Sequence, residues 1–185
     1  MEDISDEYIV CLFHGRKQEK AFRLLVEKYK ERLYWHIRKI LLSHEDADDV
    51  LQNVFVKIWQ GLKDFRFDSQ LYTWMYRIAT NEALNFLNEK RRKVYGNSDE
   101  ISVFLENTLE SDTFFSGDDI QKELQKAILS LSDRQRVIFN MKYFDDLSYE
   151  EIAEVLNVAV GTLKATYHNA VKKIEAKLKI VDILN

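Results

Sequence analysis

Residues Leu147–Glu175 read LSYEEIAEVLNVAVGTLKATYHNAVKKIE, and this stretch decides the fold class. Ser148 stands three residues before Glu151, the spacing at which the two side chains satisfy each other's backbone donors at a helix start. Ile152, Ala153 and Leu156 then mark a buried face, with Ala153 small where two helices would cross. Asn157 suits the left-handed backbone of a tight turn in place of glycine. Beyond it, Leu163, Tyr167, Ala170, Val171, Ile174 and Leu178 recur at helical spacing and predict the core side of a longer helix. Thr162, Ala165, His168, Asn169 and Lys172 lie opposite, flanked by Lys164 and Thr166. An ordinary amphipathic surface helix is the alternative. Cap, turn and basic face together favour a helix-turn-helix whose second helix enters a DNA major groove.

Working outward, the 185 residues contain no proline and five glycines, so long helices can run unbroken. No stretch alternates apolar and polar residues with β-branched enrichment, which predicts an all-α chain. Hydrophobic content of 46% is too high for a disordered protein. The acidic start MEDISDEY lacks the apolar core of a signal peptide, and no apolar run approaches the ~20 residues of a membrane span. The lone Cys11 cannot form an internal disulfide, which points to a reduced, cytoplasmic setting. In its apolar stretch it is expected to act as a small buried hydrophobe.

A formal net charge of −4 is unusual for a DNA binder. The charges are segregated, however. Arg77, Lys90, Arg91, Arg92 and Lys93 form one basic region, and the lysines beyond Val160 form another. Residues 94–119 between them hold Asp99, Glu100, Glu106, Glu110, Asp112, Asp118 and Asp119 with no lysine or arginine. Low overall charge predicts weak DNA affinity for the isolated chain, because non-specific binding comes largely from counterion release. A partner is therefore expected.

Four helices are legible before Val94: about 6–13, about 17–41, one capped by Ser43 and ending near Leu62, and one from near Gln70 into the basic run. The acidic segment is long for a connection inside a compact domain and predicts two domains, 1–93 and 120–185, joined by a linker at 94–119. A helix near 120–129 and another capped by Ser132 precede the helix-turn-helix. The expected fold is thus all-α: two small helical domains, the second a helix-turn-helix domain of winged-helix-like type.

Two helix faces in the first domain carry more than a core stripe. Ala47, Val50, Leu51, Val54 and Ile58 face inward, while Asp48, Gln52, Phe55 and Trp59 project elsewhere with Val56 beside them. Aromatics bordered by carboxylates suit a protein-binding surface; packing of Phe55 and Trp59 under a neighbouring helix is the alternative. On the fourth helix, Leu71, Trp74, Met75, Ile78, Ala79, Ala83 and Phe86 are expected to be buried. Thr73, Arg77, Thr80, Asn81, Asn85 and Asn88 are expected on the other side, able to hydrogen-bond bases and phosphates. The preceding loop, Asp64 to Gln70, mixes aromatic and polar groups and could receive an unstacked base; for Phe65, Phe67 and Trp74, a place in the core is the alternative.

The runs AFRLLVEKYKERLYWHI (21–37), HEDADDVLQNVFVKIWQGL (44–62) and FDSQLYTWMYRIATNEALNFLNEKRRK (67–93) resemble the promoter-melting domain of extracytoplasmic-function sigma factors. LSDRQRVIFNMKYFDDLSYEEIAEVLNVAVGTLKATYHNAVKKIE (131–175) resembles their second DNA-binding domain. The resemblance spans nearly the whole chain in order. It implies a subunit that joins core RNA polymerase and confers promoter recognition, with no cofactor or metal. By position it implies Asp49, Gln52, Phe55 and Trp59 on the polymerase clamp. It implies Phe67, Asp68, Ser69, Tyr72, Thr73, Arg77 and Asn81 on the melted minus-10 element, with Arg91, Arg92 and Lys93 on phosphate. Thr162, Lys164, Ala165, Thr166 and His168 would read the minus-35 element, with Lys172 on phosphate. The acidic linker would mimic nucleic acid in the polymerase cleft. An anti-sigma factor, and a monomeric free chain, are likewise implied. Ala165 and Thr166 stand where the family commonly has serine and arginine; without that arginine a bidentate reader of guanine is lost.

Two other classes compete. A free-standing helix-turn-helix regulator usually needs dimer symmetry to span two half-sites, and no dimerisation helix remains once both domains are assigned. An enzyme would need chemistry that His14, His36, His44 and His168 do not supply, since they lack metal-ligand spacing, and no glycine-rich phosphate loop is present.

Overall fold

The computed structural model describes residues 4–95 and 119–184, whose regular elements are all helices, with no strand among them. The helices are α1 (Asp6–His14), α2 (Gln18–Leu41), α3 (His44–Leu62), α4 (Leu71–Lys90), α5 (Asp119–Leu129), α6 (Asp133–Tyr143), α7 (Tyr149–Leu156) and α8 (Val160–Leu184). A π-helical turn, Arg91–Tyr95, extends α4. Most of the expected acidic linker, 96–118, lies outside the described residues.

The starts and stops follow local chemistry. Ser43 Oγ accepts from the Asp46 amide at 3.2 Å, and Glu45 and Asp46 sit in the first turn of α3, where the helix dipole favours negative charge. Complete capping boxes, Ser132 with Gln135 and Ser148 with Glu151, open α6 and α7. Asn157 closes α7 at φ 51°, the left-handed conformation expected of it.

α2 is the axis of the first half, with α1, α3 and α4 packed on it and α3 on α4. Leu25, Leu33, Ile37, Ile40, Ile58, Leu62, Leu71 and Met75 are fully or almost fully buried there. In the second half α8 carries α5, α6 and α7. Cys11 is exposed rather than buried: Ile9, Val10 and Phe13 take the inner face of α1, leaving position 11 on the outer arc. In α7, Val155 joins Ile152 in the core while Ala153 and Leu156 are half-buried.

The halves also touch. α6 lies on α2, and α7 lies on α4. One continuous cluster joins Leu25, Tyr76 and Leu87 of the first half to Val137, Met141, Ile152 and Val155 of the second. This packing determines which surfaces stay open.

Candidate nucleic-acid and polymerase interfaces

The recognition helix presents the face its periodicity predicts. Leu163, Ala170 and Ile174 are buried, while Thr162, Lys164, Ala165, His168 and Lys172 are exposed. Thr166 is half-buried and donates its hydroxyl to the Thr162 carbonyl at 2.8 Å. Lys164 Nζ lies 5.5 Å from the Tyr149 ring centroid, so cation–π attraction anchors one of the basic groups. Among the described residues, Thr162, Lys164, Ala165, His168 and Lys172 stay open to solvent, which fits a helix free to enter a groove.

On α3, Asp49 and Gln52 are exposed and Val56 is 55% exposed. Phe55 and Trp59 are half-buried. Their rings meet Phe22 of α2 edge-on at centroid separations of 6.1 and 5.0 Å, and Trp59 also meets Phe13 at 5.3 Å. The aromatic stripe therefore serves the core with one edge and the surface with the other, so both readings of it hold in part.

The loop before α4 is built on Phe65, only 7% exposed, with Trp74 and Phe67 against it at 5.2 and 5.3 Å. Phe67 is 46% exposed with φ 61°, a backbone conformation that costs an L-residue roughly 1–2 kcal/mol. Asp68 is exposed and Ser69 half-buried. With Phe65, Trp74, Arg77 and other residues of this loop, and with Glu154 of α7, they surround a cavity of about 440 Å³. Such a cavity is roomy enough for one unstacked base, and its aromatic floor supplies a stacking surface.

On α4, Asn81, Asn85 and Asn88 are exposed as expected, and Tyr72 and Arg77 are half-buried. Thr73 and Thr80 are corrections: both are buried, at 0% and 1% exposure. α4 is packed by α2, α3 and α7, so its buried arc is wider than a single core stripe. Thr80 donates to the Tyr76 carbonyl at 2.7 Å, and Thr73 Oγ1 has no partner among the described residues. In this arrangement neither side chain is open to solvent. Arg91 is half-buried, while Arg92 and Lys93 are exposed.

Sequence reasoning missed a polar cluster between the halves. His36, fully buried on α2, places Nδ1 2.8 Å from Asp145 Oδ2 and Nε2 2.9 Å from Thr80 Oγ1. Lys39 Nζ donates to Asp145 Oδ1 at 2.6 Å, and the Asn140 amide donates to the Lys39 carbonyl at 3.2 Å. Burial alone would raise the Asp145 carboxyl above its ordinary 3.8; the hydrogen bonds and charges of His36 and Lys39 outweigh it and hold the group below that value. A carboxyl depressed on folding stabilises the contact above its unfolded pKa, and that stability is lost as pH falls through the folded value. The cluster is therefore intact at neutral pH. Acid titration followed by near-ultraviolet circular dichroism should show it loosening only below about pH 4.

Two separated basic or polar faces on a helical scaffold, one beside an aromatic loop and cavity and one on a recognition helix, define a DNA-binding protein of two contacts. Residues 25–93 match sigma-70 region 2, and residues 121–174 match sigma-70 region 4. The RNA polymerase sigma-H factor of Pseudomonas aeruginosa is 32% identical over 180 residues, covering 89% of each chain. The ECF RNA polymerase sigma factor SigW of Bacillus subtilis is 28% identical over 170 residues, covering 87% of this chain and 90% of that one. Among solved structures, that of the sigma factor RpoE in complex with the anti-sigma factor NepR from Bartonella quintana has the same fold. It aligns with a TM-score of 0.68 at 23% identity, over 87% of this chain and 98% of that one. The chain belongs to the sigma-70 family of RNA polymerase sigma factors, of the extracytoplasmic-function type. It is a transcription initiation factor that binds core polymerase and directs promoter recognition. Among the described residues no helix is long and apolar enough to cross a membrane.

Proposed function

We propose a division of labour along this sigma factor. Residues 1–93 bind core polymerase and melt the minus-10 element, 94–119 form an acidic connection, and 120–185 read the minus-35 element. The polymerase clamp is met by Asp49, Gln52, Phe55 and Trp59, with Val56 among them. Melted DNA is met by Phe67, Asp68, Ser69, Tyr72, Arg77 and Asn81, and its backbone by Arg91, Arg92 and Lys93. Thr162, Lys164, Ala165, Thr166 and His168 read the minus-35 duplex, with Lys172 on phosphate.

One observation carries this assignment. A single chain exposes Asp49, Gln52 and Val56 on α3 and a separate polar face on α8, which supports one contact for polymerase and another for duplex DNA. The protein performs no bond chemistry of its own: binding energy shared with polymerase offsets the unpairing and unstacking of a few bases. We place it in the cytoplasm, monomeric when free, and regulated by an anti-sigma factor of the kind seen with the RpoE relative.

Fluorescently labelled chain titrated with core polymerase should bind saturably at one per core, and a second sigma factor should displace it. Binding to a palindromic duplex without any affinity for core would instead identify a free-standing regulator.

A further inference from the structure

We propose that this chain reads its minus-35 element through the C5 methyl groups of thymine, met by the methyls of Ala165 and Thr166, and not through hydrogen bonds to guanine. The proposal rests on the assignment of α8 to the minus-35 duplex and adds the base that α8 selects. A recognition helix meets base edges with the residues of its N-terminal turns. In α8 these are Gly161, Thr162, Ala165 and Thr166, whose i, i+1, i+4, i+5 spacing gathers them on one patch. Gly161, Thr162 and Ala165 are exposed and Thr166 is half-buried. None of the four carries a charge, and none reaches further than a hydroxyl.

Thr166 has already committed its donor. Its hydroxyl donates to the Thr162 carbonyl, one turn back, at 2.8 Å, a bond that threonine makes readily inside helices. That hydrogen is the only one the side chain can donate. Guanine shows the major groove two acceptors, N7 and O6, and needs a donor opposite them. Thr166 therefore offers a base only its methyl and an oxygen that accepts. Ala165 offers a methyl alone, and its apolar partner in the major groove is the C5 methyl of thymine. Thr162 holds the other hydroxyl of the patch, in the first turn of α8, where open backbone amides favour a phosphate oxygen as partner.

The longer hydrogen-bonding side chains stand aside from this patch. At about 100° per residue, Lys164 lies on the flank of α8 away from Thr166, and its Nζ sits 5.5 Å from the ring centroid of Tyr149 on α7. His168 and Lys172 follow one and two turns beyond Ala165. Gly161 keeps the patch low. A Cβ there would meet no atom within 4 Å, so packing does not require the glycine, and inside a helix it costs stability relative to alanine. A bare first turn lets the helix approach the base edges closely. Short side chains need that approach, since apolar groups touch only when their carbons come within about 4.5 Å.

The test uses core polymerase reconstituted with the full chain. This holoenzyme selects duplexes from a promoter library randomised at the minus-35 element. Each thymine of the selected element is then replaced singly by deoxyuridine, which removes the methyl and nothing else. Competition binding should show an affinity loss of about fourfold at one or two of these thymines, the worth of one methyl group taken from water. Thr166→Ser, which drops the methyl and keeps the hydroxyl, should abolish the thymine-to-uracil affinity ratio at one of those positions. Thr166→Val, which keeps a methyl and drops the hydroxyl, should preserve it. Ala165→Gly should abolish the ratio at a neighbouring position. Each ratio is taken within one variant, so any loss of folded protein cancels. A selected element without thymine, or Thr166→Val erasing a ratio that Thr166→Ser keeps, overturns the proposal. Uracil tolerated at every thymine, with affinity still lost when the element is scrambled, overturns the proposal alone. A scrambled element that binds as well as the selected one overturns the minus-35 assignment and the proposal with it.

Discussion

Replacing Arg77 and Asn81 together by alanine is expected to reduce open-complex formation about 100-fold while core binding stays at the parent's level, since each well-made base contact is worth ~1–3 kcal/mol. Asn81 is exposed on α4, and Arg77 lies one turn before it beside the aromatic loop. Neither side chain belongs to the hydrophobic core, so loss of activity would not come from unfolding. Arg77 also donates to the Glu154 carbonyl of α7 at 2.6 Å. Permanganate reactivity of the melted strand reads the outcome, and a fall in core affinity equal to the fall in melting would contradict the division of labour.

Val56→Asp is expected to weaken core polymerase binding by roughly 30-fold or more, the cost of about 2 kcal/mol for a substitution at the centre of a desolvated contact. Val56 is 55% exposed between Gln52 and Trp59 along α3, so an aspartate there stays solvated in the free chain and keeps the fold. Against a partner surface the same charge is stripped of water without a counter-ion. Trp59→Ala would be harder to interpret, because its ring packs on Phe13 and Phe22 and its removal also opens the core. The labelled-chain titration reads the effect, with the melting temperature as the control. Unchanged affinity would move the polymerase contact off this face.

Local signals in the sequence carried far. Ser132 with Gln135, Ser148 with Glu151, and Asn157 specify helix ends through bonds between residues at most a few positions apart, and these were legible. So was the α8 face, which is packed along one side. Thr73 and Thr80 were not, because helical periodicity predicts one buried arc, and α4 is covered on several sides by elements distant in the chain. The aromatic stripe of α3 divided for a related reason: Phe22 sits on another helix, and only packing brings it under Phe55 and Trp59.

Charge counting marks residues 94–119 as acidic, and the resemblance implies that they mimic nucleic acid; most of them lie outside the described residues. Among the described residues, Asp133 on α6 accepts from Arg91 and Glu151 on α7 accepts from Tyr72, both across the two halves. Both also cap or salt-bridge their own helices, a local role that hides their long-range one in the sequence. His36 and Asp145, more than a hundred residues apart, meet through tertiary packing that no short motif encodes.

The central claim is that this chain gives core polymerase its promoter. Core polymerase stripped of other sigma factors, mixed with the full chain and a library of promoter fragments, should yield discrete run-off transcripts from a subset sharing two spaced elements. Core alone should yield none. Transcripts that are the same with and without the chain, or a chain that never co-elutes with core, would contradict the account.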